Sequence, residues 1–157
     1  MERKQYIHYG SAQLHKIDPI RNHQLSVKPK GGLWASPVDS EFGWADFCRS
    51  EDICTESLAE SFSFWLTENA KILHIYSGEQ LDKLPKAKLT PDLEETLGKV
   101  SWITLDFEAL EKQYDGIELH LSDEESDDGL FFELYGWDCD CILIFHDDVI
   151  EVIGNAN

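Results

Sequence analysis

Two adjacent glycines sit between a basic pair and a short apolar run in Lys28-Pro29-Lys30-Gly31-Gly32-Leu33-Trp34-Ala35-Ser36-Pro37. Glycine takes backbone conformations that other residues rarely adopt, so the pair predicts a sharp turn and a close approach of the backbone to a ligand. Leu33 onward then predicts a strand, and Trp34 offers a flat ring face for stacking. Upstream, Tyr6-Ile7-His8-Tyr9-Gly10-Ser11 gives a second strand that also ends in glycine. Together the segments have the character of half a nucleotide pocket.

A chain of 157 residues suffices for one domain with a real hydrophobic core, and we expect a single domain over residues 1–157. The longest apolar runs are only a few residues, too short for a transmembrane helix. The segment Met1-Glu2-Arg3-Lys4-Gln5 runs into a strand pattern without the form of a signal peptide. The four cysteines, Cys48, Cys54, Cys139 and Cys141, lack the spacing of a secreted disulfide scaffold, which predicts reduced thiols and a cytoplasmic location.

The net charge of -18 is unevenly spread. Residues 1–35 hold six basic groups against two acidic ones, and the remainder holds seven against 29. The acidic bulk argues against broad nucleic-acid binding, whereas a small anion could be drawn to the N-terminal third. The same acidity serves solubility.

The pattern predicts short strands over 5–9, 32–35, 62–66, 72–76, 116–121, 141–145 and 149–153. Phe62–Leu66 and Ile72–Tyr76, separated by Glu68-Asn69, suit a hairpin. Helices are expected over 42–49 with Ser40 as cap, over 79–84, from Pro91 with Thr90 as cap, and from Asp106 as cap. Strands and helices mostly do not alternate, so the class is α+β.

Several constellations carry little chemistry. Cys48 and Cys54, or Cys139 and Cys141, do not match a zinc ribbon, although the last two point to one side of a strand. The acidic stretch Ser122–Gly129 lacks the ligand pattern of a calcium loop. His146-Asp147-Asp148 falls where a solvated turn belongs. No metal site is expected. No nucleophile elbow, dinucleotide fingerprint or phosphate loop occurs.

His8-Tyr9-Gly10-Ser11 and Gly32-Leu33-Trp34-Ala35-Ser36 together resemble two motifs of the ADP-ribosyltransferase fold. The branch is the His-Tyr-Glu one, of the diphtheria toxin and poly(ADP-ribose) polymerase type. Its first strand ends in His-Gly-Ser or His-Gly-Thr, and here Tyr9 is inserted. Its second motif reads Gly-Ile-Tyr-Phe-Ala, and here Trp34 takes the tyrosine place. Trp44 matches a further aromatic in the next helix. Tyr114-Asp115-Gly116-Ile117 and the closing Asp147-Asp148-Val149-Ile150 resemble the end of many toxin-type members.

The resemblance implies an α+β fold of split antiparallel sheets with short flanking helices, and NAD as substrate. His8 would hold the adenosine-side ribose, and the Tyr9 or Gly10 backbone would pair with the carboxamide. Trp34 and Trp44 would stack the nicotinamide, with Gly32 and Ser36 in the same motif. Arg21, Lys28 or Lys30 would neutralise the pyrophosphate. The family glutamate falls at Cys141, which leaves Asp140 or Asp138 as the catalytic acid, with Glu133 and Glu118 further off. The acceptor, macromolecular or small, stays open. So does a silent member of the fold whose acidic face, including Asp123–Asp128, binds a basic protein or mimics nucleic acid.

Overall fold

The computed structural model describes residues 3–22, 28–87, 105–120 and 139–153. The expected helix from Pro91, the acidic stretch 122–129, Glu133 and Asp138 lie outside them. Seven strands occur among the described residues: β1 (Gln5–Tyr9), β2 (Leu33–Pro37), β3 (Ser61–Leu66), β4 (Ile72–Ile75), β5 (Gly116–Leu119), β6 (Cys141–Ile144) and β7 (Ile150–Val152). Three short helices accompany them: α1 (Trp44–Glu51), α2 (Gly78–Asp82) and α3 (Phe107–Glu111). Single 3₁₀ turns cover Thr55–Ala59 and Asp147–Val149. The α+β class follows. No helix among the described residues is long and apolar enough to cross a membrane.

The strands form one mixed sheet in the order β4-β5-β6-β2-β1-β3-β7. Alternation along the strands gives each face its own core. Tyr6, Phe62, Phe64, Ile142 and Ile144 pack on one face. Ile75, Ile117, Leu119 and Leu143 pack on the other, beneath Phe107 and Leu110 of α3. Strands β5 and β6 are buried on both faces, which explains the unbroken apolar run Cys141-Ile142-Leu143-Ile144.

Two expectations about pairing are corrected. Strands β3 and β4 do not make a hairpin: β3 lies between β1 and β7, and β4 is an edge strand. The register Tyr6↔Phe64 and His8↔Phe62 gathers three aromatic rings and a histidine on one face, contacts a local hairpin would forgo. The sheet is also not wholly antiparallel, because β4 and β5 run parallel. Their long connection, holding α2 and α3, is what a parallel pair requires.

Helix α1 begins at Trp44, two residues later than expected, with Gly43 rather than Ser40 as its cap. The Phe42 carbonyl accepts a hydrogen bond from the Asp140 amide at 2.9 Å, which commits that residue to the approach of β6. The Asp106 cap is as expected: its Oδ1 accepts from the Ala109 amide at 3.1 Å and from Asn22 Nδ2 at 2.9 Å.

The glycine pair makes the predicted sharp turn, with φ of +82° at Gly31 and +76° at Gly32. Its close approach is to the protein itself. A Cβ on Gly31 would lie 2.2 Å from the Pro19 carbonyl oxygen, and one on Gly32 would lie 2.7 Å from Leu143 Cδ1.

One polar tie crosses the sheet. Glu118 of β5, fully buried, accepts a hydrogen bond from the Tyr6 hydroxyl of β1, and Lys4 Nζ reaches the same carboxylate. Strands β6 and β2 lie between them, a gap of roughly 14 Å in a flat sheet. The contact therefore requires the sheet to curl around this face.

Candidate functional site

Strands β1 and β2 pair in register at only two positions, Tyr6↔Pro37 and Ile7↔Ser36, and then part. Where the next backbone bonds would form, His8 Nδ1 lies 2.6 Å from the Trp34 carbonyl oxygen. A carbonyl only accepts, so Nδ1 carries the proton and Nε2 is the acceptor of the neutral ring. The imidazole packs against Phe62 at 5.2 Å between centroids.

A cavity of about 530 Å³ opens at this parting. The pleat builds its first wall. Trp34 and Ser36 project to one side of β2, and Cys141 faces that side from β6. Ser36 then places the second indole: its Oγ accepts from the Trp44 amide at 2.9 Å and so fixes the start of α1. Both indoles pack against the core of that face. Lys28 stands over the Trp34 ring, its ammonium 5.9 Å from the centroid. The 3₁₀ turn after α1 supplies the facing wall through Cys54, Glu56 and Ser57.

Six of the residues singled out from the sequence meet here. His8, Tyr9, Lys28, Trp34, Ser36 and Trp44 all line the cavity. Alternation sends the Trp34 indole to the side of Leu143 and the His8 ring to the side of Phe62, so His8 occupies the seam rather than the indole-bearing wall. The Gly10 amide donates to the Glu60 carbonyl at 2.9 Å, which commits that donor to the end of β3.

The other described candidates stand apart. Arg21 and Lys30 bond to each other through their backbones, at 3.0 and 2.8 Å, and neither lines the cavity. Gly32 serves the packing described above. Asp140 is buried between the two cavity thiols of Cys139 and Cys141 but is absent from the lining. Glu56 and Ser57 are not legible in the sequence, and Cys54 stands out there only as a candidate metal ligand, because a single 3₁₀ turn carries no periodic pattern to reveal its inner side. His146-Asp147-Asp148 forms a turn, as expected.

The hydrogen bond with Cys139, together with burial, pushes the Cys141 thiol well above its ordinary range. A thiol held protonated is a poor nucleophile, so Cys141 forms an apolar, polarisable part of the wall rather than a reactive centre. Such a cavity, with two indoles, one ammonium and one exposed carboxylate, suits a flat aromatic ligand bearing an anionic arm. No family model, curated protein or solved structure matches this chain.

Proposed function

We propose that this chain is an ADP-ribosyltransferase-like domain that binds NAD where β1 and β2 part. The observation that carries the reading is the meeting of Trp34 and Trp44 in one cavity, with Lys28 over the first ring and His8 at the seam. An electron-rich indole attracts a pyridinium face, as it attracts any cation. Lys28 is the cation suited to the pyrophosphate. His8, with Nδ1 committed to the Trp34 carbonyl, offers Nε2 to a ribose hydroxyl.

In the transfer reaction the bond between the ribose anomeric carbon and the nicotinamide nitrogen breaks, and nicotinamide leaves with the bonding pair. Positive charge develops on the ribose, and a nearby carboxylate stabilises it. Among the described residues Glu56 is the carboxylate that lines the cavity, and it takes this role here. Asp140, off the lining, shapes the Cys139–Cys141 wall.

The test has two readouts. NAD titration is expected to quench tryptophan fluorescence in the native chain and to leave Trp34→Ala nearly unchanged. Full quenching in that variant refutes the stacking assignment. Nicotinamide release is expected to vanish in Glu56→Gln and to persist in Asp140→Asn, and the reverse pattern returns the acid role to Asp140. A second reading is favoured by Cys141 at the place of the family glutamate: a silent member of the fold that binds a partner. Binding of NAD without nicotinamide release under any acceptor supports it.

A further inference from the structure

We infer that His74, Glu118 and His120 form a binding site for a divalent transition metal ion of the zinc class, separate from the cavity at β1 and β2. None of the three lines that cavity. The parallel pairing of β4 and β5 sets His74 opposite Glu118. His120 follows Glu118 by two residues and so returns to the same face. Its amide donates to the Ile75 carbonyl at 3.0 Å, which holds the end of β5 against β4.

The donor atoms are close enough to share one ion. All three lie within 4.8 Å of one another. His120 Nε2 is 3.3 Å from Glu118 Oε2 and 2.9 Å from His74 Nδ1. Two ligands on a tetrahedral zinc ion, each about 2.0–2.1 Å from it, stand roughly 3.3 Å apart. The imidazole pair needs to open by only a few tenths of an ångström, and His74 stands on the solvent side of the cluster. Two nitrogens and one carboxylate oxygen are a common three-ligand set that leaves a fourth position for water.

The surroundings already orient these ligands. The Tyr6 hydroxyl bonds Oε1 of Glu118, which leaves Oε2 toward the histidines. Tyr76 stacks on His120 with centroids 4.3 Å apart and planes 9° from parallel. Such outer contacts fix ligand orientation in metal sites. The carboxylate is fully buried, and a charge in that position demands a counter-charge. Lys4 Nζ supplies one from the rim, bound to the same Oε2 at 2.5 Å. Its side chain is 39% exposed, so the ammonium can withdraw into water when an ion takes its place.

Cobalt(II) added to the full chain tests this, because its visible ligand-field bands report four-coordinate binding. The expected result is one ion per chain, displaced by zinc. His74→Ala and His120→Ala are each expected to weaken cobalt binding at least about 100-fold. Lys4→Met is expected to strengthen it, because the competing ammonium is gone. Zinc is expected to raise the melting temperature of the native chain and not that of His74→Ala. Absence of the cobalt bands, or histidine variants that bind like the native chain, overturns the site. Unchanged affinity in Lys4→Met overturns the place of Glu118 in it.

Discussion

Removing one oxygen atom from Tyr6 is expected to weaken the fold in a way that depends on pH. In Tyr6→Phe the ring stays on Phe64, 5.7 Å away between centroids, so the packing volume is kept. What is lost is the donor to Oε1 of a fully buried carboxylate. A hydrogen bond to a charged group contributes about 1.5–3 kcal/mol, and the Lys4 and His120 contacts fall on the other oxygen, so we expect about 2 kcal/mol. For a chain of 157 residues this lowers the melting temperature by roughly 4–8 °C. Burial, and then the Glu118 charge, hold the Tyr6 phenol far above its ordinary value of 10.0. The folded state thus keeps a proton that the unfolded chain releases near pH 10. The stabilisation is complete below that pH and is lost above it, by about 1.4 kcal/mol per pH unit. The advantage of the native chain over Tyr6→Phe should therefore vanish roughly one and a half units above pH 10. Urea denaturation of both proteins between pH 8 and 11.5 measures the difference directly, since lysine titrations common to both cancel. A variant within about 0.5 kcal/mol of the native chain, or a difference constant across that range, would refute the reasoning.

Other perturbations separate packing from the cavity. Gly32→Ala is expected to cost at least about 1 kcal/mol, because alanine resists the left-handed backbone and its methyl would meet Leu143 and the Ile144 carbonyl; thermal melts check this. Ser36→Ala removes the acceptor at the start of α1 and should cost about 1 kcal/mol in denaturant unfolding. The same variant should blunt NAD quenching through Trp44 while leaving Trp34 in place. Alkylation followed by mass spectrometry should modify Cys54, which is exposed, well before Cys48 and Cys141, whose thiols burial helps to hold protonated.

What the sequence revealed, and what it hid, divides along the range of the interactions. Strand β1 and the start of β2 follow from aromatic and β-branched alternation, and the Asp106 cap follows from a side chain three residues from its partner. The meeting of Trp34 with Trp44 follows from the resemblance and not from periodicity, and the Ser36 contact at the start of α1 was not legible, because Ser40 has the form of the cap. Pairing was not legible. The connection 67–71 is short enough for a hairpin, yet the ring stack of Tyr6 on Phe64 is formed across 58 residues of chain, and only tertiary packing sets its value. That misplacement had a consequence for chemistry. With β4 drawn beside β3, His74 stands nowhere near Glu118, and Glu118-Leu119-His120 is just an alternating strand with two polar residues. Set β4 parallel to β5, and the two histidines converge on a buried carboxylate. Side chains split between strands 44 residues apart are invisible to any local spacing rule, whereas Trp34 and Trp44 fall within one short stretch of sequence. The reach of sequence reasoning on this chain thus follows the separation of the partners, and the place where it stops is the parallel edge of the sheet.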